Sequence, residues 1–397
     1  MAKKSWLEYL TESTKSLEPP ERFFYWSGLA TIASIVKKNV FINRFSYNLY
    51  PNIYVILVSA KSGLRKGVPI SYARSFVEKL GATRVISGQN SIPAMLQELS
   101  QQTTNGNGKV YSNAQALLLA PELDSFLIKD ESSLTTLTDL YDTHAYETSW
   151  KKNLKSGKIE LKEPCITLLG ASNEVLLEDF VRVKDVEGGF LARTFIVHES
   201  KRQTNNSLMW EPVGLTKREE LIKPLERLNN LAGVFDIPDP VKHIYNDWYI
   251  KISEADHDDR TGTMERIGDS VLKVAMLISL SRSNSLVIEQ EDLELSIEKC
   301  EETLIGTKKI TLGQGKSEVS PLIAQVTKIL VDSPNQEILR AKLLTKLNCE
   351  TLQLDRVIDT LEQRDAIELY RKQGQKGVFY HMKPAVYQEY LRFKNNP

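Results

Sequence analysis

Apolar positions in the first third of the chain follow two different rhythms. Phe23, Trp26, Leu29, Ile32 and Val36 recur at spacings of three and four, which line one face of a helix. They predict a helical N-terminal segment over residues 1–45, broken at Pro19 and Pro20. Residues 52–58 (NIYVILV) form instead a continuous apolar, β-branched run, the pattern of a strand buried on both faces of a parallel sheet. The run ends in small and basic residues, and helical spacing returns over 68–80. Residues 116–120 (ALLLA) and 165–170 (CITLLG) repeat the buried-strand pattern, and 190–197 predicts a fourth strand that carries Arg193. Four such strands separated by helical segments predict an α/β core with a mainly parallel sheet over residues 46–237. Ligands of such sheets sit at the carboxyl ends of the strands.

From about Pro238 the strand signals stop. Helical periods at 241–255, 264–281 and 290–304 predict a helical lid over 238–311, and residues 312–317 (LGQGKS) read as a linker. Helical patterns at 322–331, 338–347 and 352–364 then lead into short strands at 367–370 and 378–381. Three helices followed by two strands is the order of a winged helix, predicted over 318–397.

Composition narrows the function classes. A chain of 397 residues favours two or three domains. Lysine plus arginine and aspartate plus glutamate balance at 51 each, which argues against a histone-like or tail-driven nucleic-acid binder, so any DNA contact must come from local patches. Cys165, Cys300 and Cys349 lack the spacing of a zinc or disulfide site, and a reducing cytoplasm fits them best. His144, His198, His243, His257 and His381 are dispersed and read as structural, although His144 and His198 lie near loops that could approach a site at the strand ends. No clustered carboxylates suggest a primase or nuclease centre. The apolar stretch at 26–36 is interrupted and too short for a bilayer core of about 30 Å, so no membrane partner is expected.

The candidate chemistry begins after the first strand. A phosphate loop, G-x-x-x-x-G-K-S/T, cradles phosphates on backbone N–H groups, reaches the terminal phosphates with lysine and holds magnesium with the hydroxyl. Residues 60–67 (AKSGLRKG) keep Lys66 in place and put Gly63 within the loop. Arg65 replaces the second glycine and Gly67 the hydroxyl residue. Ser62, Gly63, Arg65, Lys66 and Gly67 are the nucleotide candidates; the bland reading is a basic strand-to-helix turn.

The second strand leads into Pro121-Glu122-Leu123-Asp124. Glu122 stands where a carboxylate orients attacking water, Pro121 takes the magnesium-side position, and Asp124 is the nearest substitute for metal. Pro and Glu also suit an ordinary helix start. Asn173, just beyond the third strand, offers an amide to a terminal phosphate, or a helix cap. Arg193 supplies fixed positive charge to a neighbour's nucleotide, or a surface ion pair.

In order, PNIYVILV (51–58), LRKG (64–67), LLAPEL (118–123), LYD (140–142), LLGASN (168–173) and GGFLAR (188–193) resemble the helicase-like ATPases of phages, plasmids and staphylococcal cassette elements. More distantly they are similar to the AAA+ core of minichromosome-maintenance helicases. The resemblance spans roughly residues 20–310 and implies an AAA+-type P-loop core that binds ATP and Mg2+ and forms a homo-oligomeric ring, a hexamer. It implies Lys66 for phosphate, Glu122 for hydrolysis, Asn173 as first sensor, Arg193 as trans-acting finger and Arg266 as second sensor. It also implies a DNA-replication role, with a primase or polymerase as partner. The departures at Arg65, Gly67 and Pro121 leave a second reading open, a non-catalytic DNA-binding or scaffold protein with a degenerate nucleotide site.

DNA contacts are expected in two places. Residues 149–162 alternate about a central KSGK and predict a β-hairpin whose Lys151, Lys152, Lys155 and Lys158 are available to phosphates or form a solvated basic face. The resemblance implies that this hairpin tracks single-stranded DNA in a central pore. In the C-terminal module, residues 352–361 predict a recognition helix with Arg356 and Arg364 at hand. Arg371, Lys372 and Lys376 fall in the wing. Such modules also bind proteins.

Overall fold

Ser5 opens the first helix, α1 (Trp6–Ser13), with a capping box: its hydroxyl accepts from the Glu8 N–H, and the Glu8 carboxylate accepts from the Ser5 N–H. The second helix, α2 (Glu21–Val36), was expected to hide one face and instead is buried on nearly all sides, Ser27, Gly28, Thr31 and Ser34 included. Thr31 and Ser34 tolerate this because they donate to carbonyls one turn back, Ser27 O at 2.8 Å and Ala30 O at 2.7 Å, whereas the Ser27 hydroxyl has no partner among the described residues. A hydroxyl satisfied within its own helix is sequestered at little cost, which a hydrophobic pattern does not register.

The structure, a computed structural model, describes residues 4–59, 62–87, 91–104, 108, 110–123, 133–142, 149–154, 157–177, 189–205, 218–254, 261–311, 320–347, 349–372, 374 and 377–388. Asp124, Lys155, Lys376, His144, His257 and the linker at 312–317 lie outside the described residues, as do the side chains of Ser62 and of residues 60 and 61. The chain divides into two compact units, Met1–Ile310 and Thr311–Pro397.

In the first unit, β1 (Val40–Asn43) and β2 (Asn48–Leu49) form a small hairpin. The central sheet starts with β3 (Tyr54–Ser59), followed by α3 (Gly67–Leu80), β4 (Arg84–Ser87) and α4 (Ile92–Ser100). A minor pair, β5 (Thr103–Thr104) and β6 (Val110–Tyr111), precedes β7 (Gln115–Ala120) and α5 (Ser133–Asp142). The antiparallel hairpin of β8 (Ser149–Leu154) and β9 (Gly157–Lys162) leads into β10 (Cys165–Asn173), and β11 (Thr194–Glu199) closes the sheet. The five strands run parallel in the order β11-β3-β10-β7-β4. Every residue of β3 and β7 is buried, as their uninterrupted apolar runs require.

The fourth strand begins later than its apolar pattern suggests. Leu191–Arg193 is a 3-10 turn, closed by Arg193 N–H to Phe190 O at 3.0 Å and Thr194 Oγ1 to Phe190 O at 2.8 Å. Arg193 therefore stands before β11 rather than within it.

Then come α6 (Arg218–Glu226), β12 (Gly233–Val234), which pairs with β1, and three long helices, α7 (Asp239–Glu254), α8 (Thr263–Arg282) and α9 (Gln290–Thr311). α8 is buried continuously from Val271 to Ser281 and packs against α1 and α2. The segment read as a lid thus shares the main core with the sheet, because both faces of α8 carry residues that exclude water. α9 lies directly on β11: a Cβ placed on Gly306 would stand 2.4 Å from Ile196 O. Among the described residues no helix is long and apolar enough to cross a membrane.

The second unit contains α10 (Ser320–Val331), β13 (Glu337–Leu339), α11 (Arg340–Leu347), α12 (Thr351–Gln363), β14 (Ile367–Tyr370) and β15 (Phe379–Met382). Its three strands are antiparallel in the order β13-β15-β14. The apolar period at 338–347 predicted helix throughout. Instead Ile338 pairs with Tyr380 and the helix starts at Arg340, since a partner strand distant in sequence captures Ile338 and Leu339.

Because Gly306 is the point where α9 touches the backbone of β11, Gly306→Ala should force the two apart. A loss of about 1–3 kcal/mol is expected, the usual cost of overpacking, read as a lower urea midpoint.

Candidate functional site

The carboxyl ends of three neighbouring strands are brought level by register. Asn173 at the end of β10 pairs with Ser59 at the end of β3, and Glu199 of β11 pairs with Ser59 from the other side. Beyond Ser59 the chain makes a 3-10 turn, Ser62–Leu64, and enters α3 at Gly67. Arg65 adopts a left-handed φ of 52° in this turn. Lys66 is the residue before the helix, and its ammonium donates to Ser59 Oγ at 2.6 Å, across the mouth of the loop. Among the described residues no side chain caps α3 and nothing lies within 4 Å of a Cβ placed on Gly67, so the first N–H groups of the helix face an open approach. Such an end attracts anions through its N–H groups and its dipole.

Arg202, which the sequence reading passed over, completes the positive rim. Its Nη1 donates to Glu18 Oε1 at 2.6 Å, and Arg65 Nε meets Glu18 Oε2 at 2.8 Å, so one largely buried carboxylate aligns two guanidiniums. Gly63 is needed here, since a Cβ would stand 2.8 Å from Arg202 Nη2. Asn173 accepts from Leu176 N–H at 2.8 Å through Oδ1 and so caps the short helix that follows it. With its oxygen engaged, the amide meets a ligand by its donor end. Glu122 is exposed two residues beyond β7. Behind these groups, His198 Nε2 lies 3.3 Å from both Glu174 Oε2 and Lys309 Nζ.

The other two arginine candidates meet elsewhere, near the amino-terminal ends of the strands. Arg193 Nε donates to Asp142 Oδ2 at 2.9 Å, its Nη2 also reaches Asp142, and its Nη1 donates to Gly189 O at 2.7 Å. Arg266 Nη1 lies 3.3 Å from Asp142 Oδ2. The two guanidiniums share one carboxylate beside a cavity of about 320 Å³ whose lining also includes Tyr141, Asp269 and Lys273. Asp269 is engaged by Tyr47, which donates to it at 2.8 Å. Lys273 is buried, donating to Asn52 O and Oδ1 at 3.1 and 2.9 Å with its ammonium 3.8 Å from the Tyr141 ring centre. Burial lowers its pKa to about 7, against the opposing pull of Asp142 and Asp269.

The basic hairpin stands apart from both places. Lys151 pairs across the strands with Glu160 at 3.6 Å, Lys152 donates to Thr136 Oγ1 of α5 at 2.6 Å, and Lys158 is exposed. In the second unit Arg356, Arg364 and Arg371 are exposed, while Lys372 is held by Glu337.

The described residues do not supply a protein-built magnesium site. No group of three or more His, Cys, Asp or Glu among them could hold a metal, and Gly67 has no hydroxyl to offer. The sequence matches no family model and no curated protein.

Lys273 sets a test of the buried charge. Between about 7 and the ordinary lysine value of 10.5 the folded chain holds Lys273 neutral while the unfolded chain protonates it, so the penalty of burial fades as pH rises. Relative to Lys273→Met, wild type should gain stability by about 1 kcal/mol per pH unit from pH 7 to 9. Denaturant titrations of both proteins across that range check it, and a constant difference would assign the titration elsewhere.

Proposed function

We propose that this chain is an ATP-dependent, ring-forming motor of the AAA+ type that acts on DNA in phage or mobile-element replication, with nucleotide bound at subunit interfaces. The observation that carries the reading is the register that sets Asn173 opposite Ser59, between the Lys66 loop and the strand that leads to Glu122. In that arrangement a triphosphate on the α3 N-terminus meets Lys66 on one side and a neutral amide and a carboxylate on the other. Lys66 binds the terminal phosphates, Asn173 donates to the phosphate or to water, and Glu122 orients water. Arg65 and Arg202 add positive charge at the rim. Magnesium belongs to this proposal as the ion that a nucleotide brings on its own phosphates.

The position of Arg193 supports assembly. It precedes β11, whose first residue pairs with Tyr54 at the start of β3, five residues and roughly 17 Å of strand from Ser59. An arginine so placed reaches the nucleotide of another copy rather than its own. The α-β-α-α-β-β order of the second unit supports a winged helix that contributes to DNA binding through α12 and the wing. The exposed lysines of the β8–β9 hairpin suit the phosphate backbone.

A second reading, a scaffold or DNA-binding protein with a degenerate nucleotide site, draws support from the missing hydroxyl at Gly67 and from Pro121 beside Glu122. The two part under measurement. The motor should bind ATP by calorimetry and hydrolyse it faster with single-stranded DNA, and Lys66→Ala should weaken binding by about tenfold or more, the loss of one charge-assisted contact. Arg193→Ala should abolish stimulated hydrolysis while keeping nucleotide affinity. DNA binding indifferent to ATP and to both substitutions would establish the scaffold instead.

A further inference from the structure

Two guanidiniums held on a single carboxylate leave, among the described residues, one positive charge unmatched. Asp142 carries one negative charge and faces Arg193 and Arg266 together. The other acid of the cavity, Asp269, accepts from the Tyr47 hydroxyl and has a cation of its own in Arg44 at 3.9 Å. A phosphate group presents the same oxygen edge to a guanidinium as a carboxylate does, with up to twice the charge.

The three groups differ in how firmly they are placed. Arg193 has only 10% of its side chain exposed, and its second hold on Gly189 O does not depend on Asp142. Gly189 has a φ of 73°, and a Cβ there would stand 2.7 Å from Arg193 Nη1, so the turn is shaped around that guanidinium. Asp142 is the last residue of α5 and is 43% exposed. The cation is thus fixed and its counter-ion is the part free to leave. At about 320 Å³ the cavity falls within the range of small-ligand sites.

We propose that Asp142 is an internal competitor, occupying between Arg193 and Arg266 the place of a phosphate group, and that the cleft takes a polyphosphate by displacing it. That the phosphate belongs to a nucleotide on a second copy rests on the function proposed above; the anion site and its competitor do not. Under that reading an isolated chain keeps its arginines neutralised, and association with a nucleotide-loaded neighbour exchanges Asp142 for the neighbour's terminal phosphate. Asp142 is then a positioning residue that sets the threshold for assembly.

The test uses the full chain carrying Lys66→Ala, which removes the lysine of the phosphate loop, titrated with tripolyphosphate by calorimetry. Adding Asp142→Asn should raise affinity roughly tenfold, and adding Arg193→Ala to either protein should lower it by a similar factor. Arg193→Ala alone leaves Asp142 in place, so it decides the matter even where Asp142→Asn fails to fold. Affinity unchanged or weakened by Asp142→Asn in a normally melting protein, or unchanged by Arg193→Ala, overturns the proposal. A gain at all protein concentrations identifies free polyphosphate as sufficient, and a gain in ATP-dependent self-association by light scattering identifies a neighbour's nucleotide. Failure of ATP to bind the wild-type loop would refute the motor reading while leaving the tripolyphosphate result to stand by itself.

Discussion

The parallel pairing of β3 with β10 on one side and β11 on the other is the constraint from which the rest of the first unit follows. It brings three chain segments, far apart in sequence, to a common level at Ser59, Asn173 and Glu199. A parallel ladder has no freedom to slip by one residue here, since a slip would move Val55 and Leu57 to the opposite face, and both faces are fully packed. α2 and α3 cover one face, with α8 packed on α2 behind them, and α4 and α5 cover the other. The loop carrying Lys66 is therefore mounted on a rigid base.

The same pairing separates the positive charges into two groups. Lys66, Arg65 and Arg202 gather where the strands end, with Glu18 aligning the two guanidiniums. Arg193 and Arg266 gather near where the strands begin, joined by Asp142. α5 is common to the second group and to the basic hairpin, since Asp142 ends it and Thr136 within it accepts from Lys152. It is also tied to the start of β3 through Tyr54, whose hydroxyl donates to Leu137 O at 2.9 Å, and through Asn52, which donates to Tyr141 O at 3.3 Å. The helix thus links the arginine cleft, the central strand and the hairpin in one hydrogen-bonded body. In the proposed motor this is the element through which an anion at the cleft would be felt at the DNA-facing hairpin.

Much of this was legible in the sequence where burial is uniform or periodic. The runs at 52–58, 116–120 and 165–170 announce β3, β7 and β10 because a strand covered on both faces has no polar position to break the pattern. The hairpin at 149–162 is equally plain, its alternation matching the burial of Ile159 and Leu161. Reading failed where a residue's state depends on a distant partner. The start of β11 is set by hydrogen bonds to Phe190 O, and β13 exists because Tyr380 pairs with Ile338. Arg202 and Asp142 carry no local signal as site residues, being an ordinary arginine and a helix-end aspartate until Glu18, Arg193 and Arg266 are placed beside them.

By itself the sequence determined the uninterrupted strands β3, β7 and β10, the basic hairpin and the long helices, that the sheet is mainly parallel, and that Lys66, Glu122 and Asn173 each stand at or beyond the end of a buried strand. These are properties of consecutive residues, whose spacing alone sets which side chains share a face. Only the tertiary structure decided the strand order, the level register of Ser59 with Asn173, and the sharing of Asp142 by two arginines. Those depend on hydrogen bonds and charges between residues many positions apart, and nothing in the linear order of side chains fixes which of the distant partners will meet.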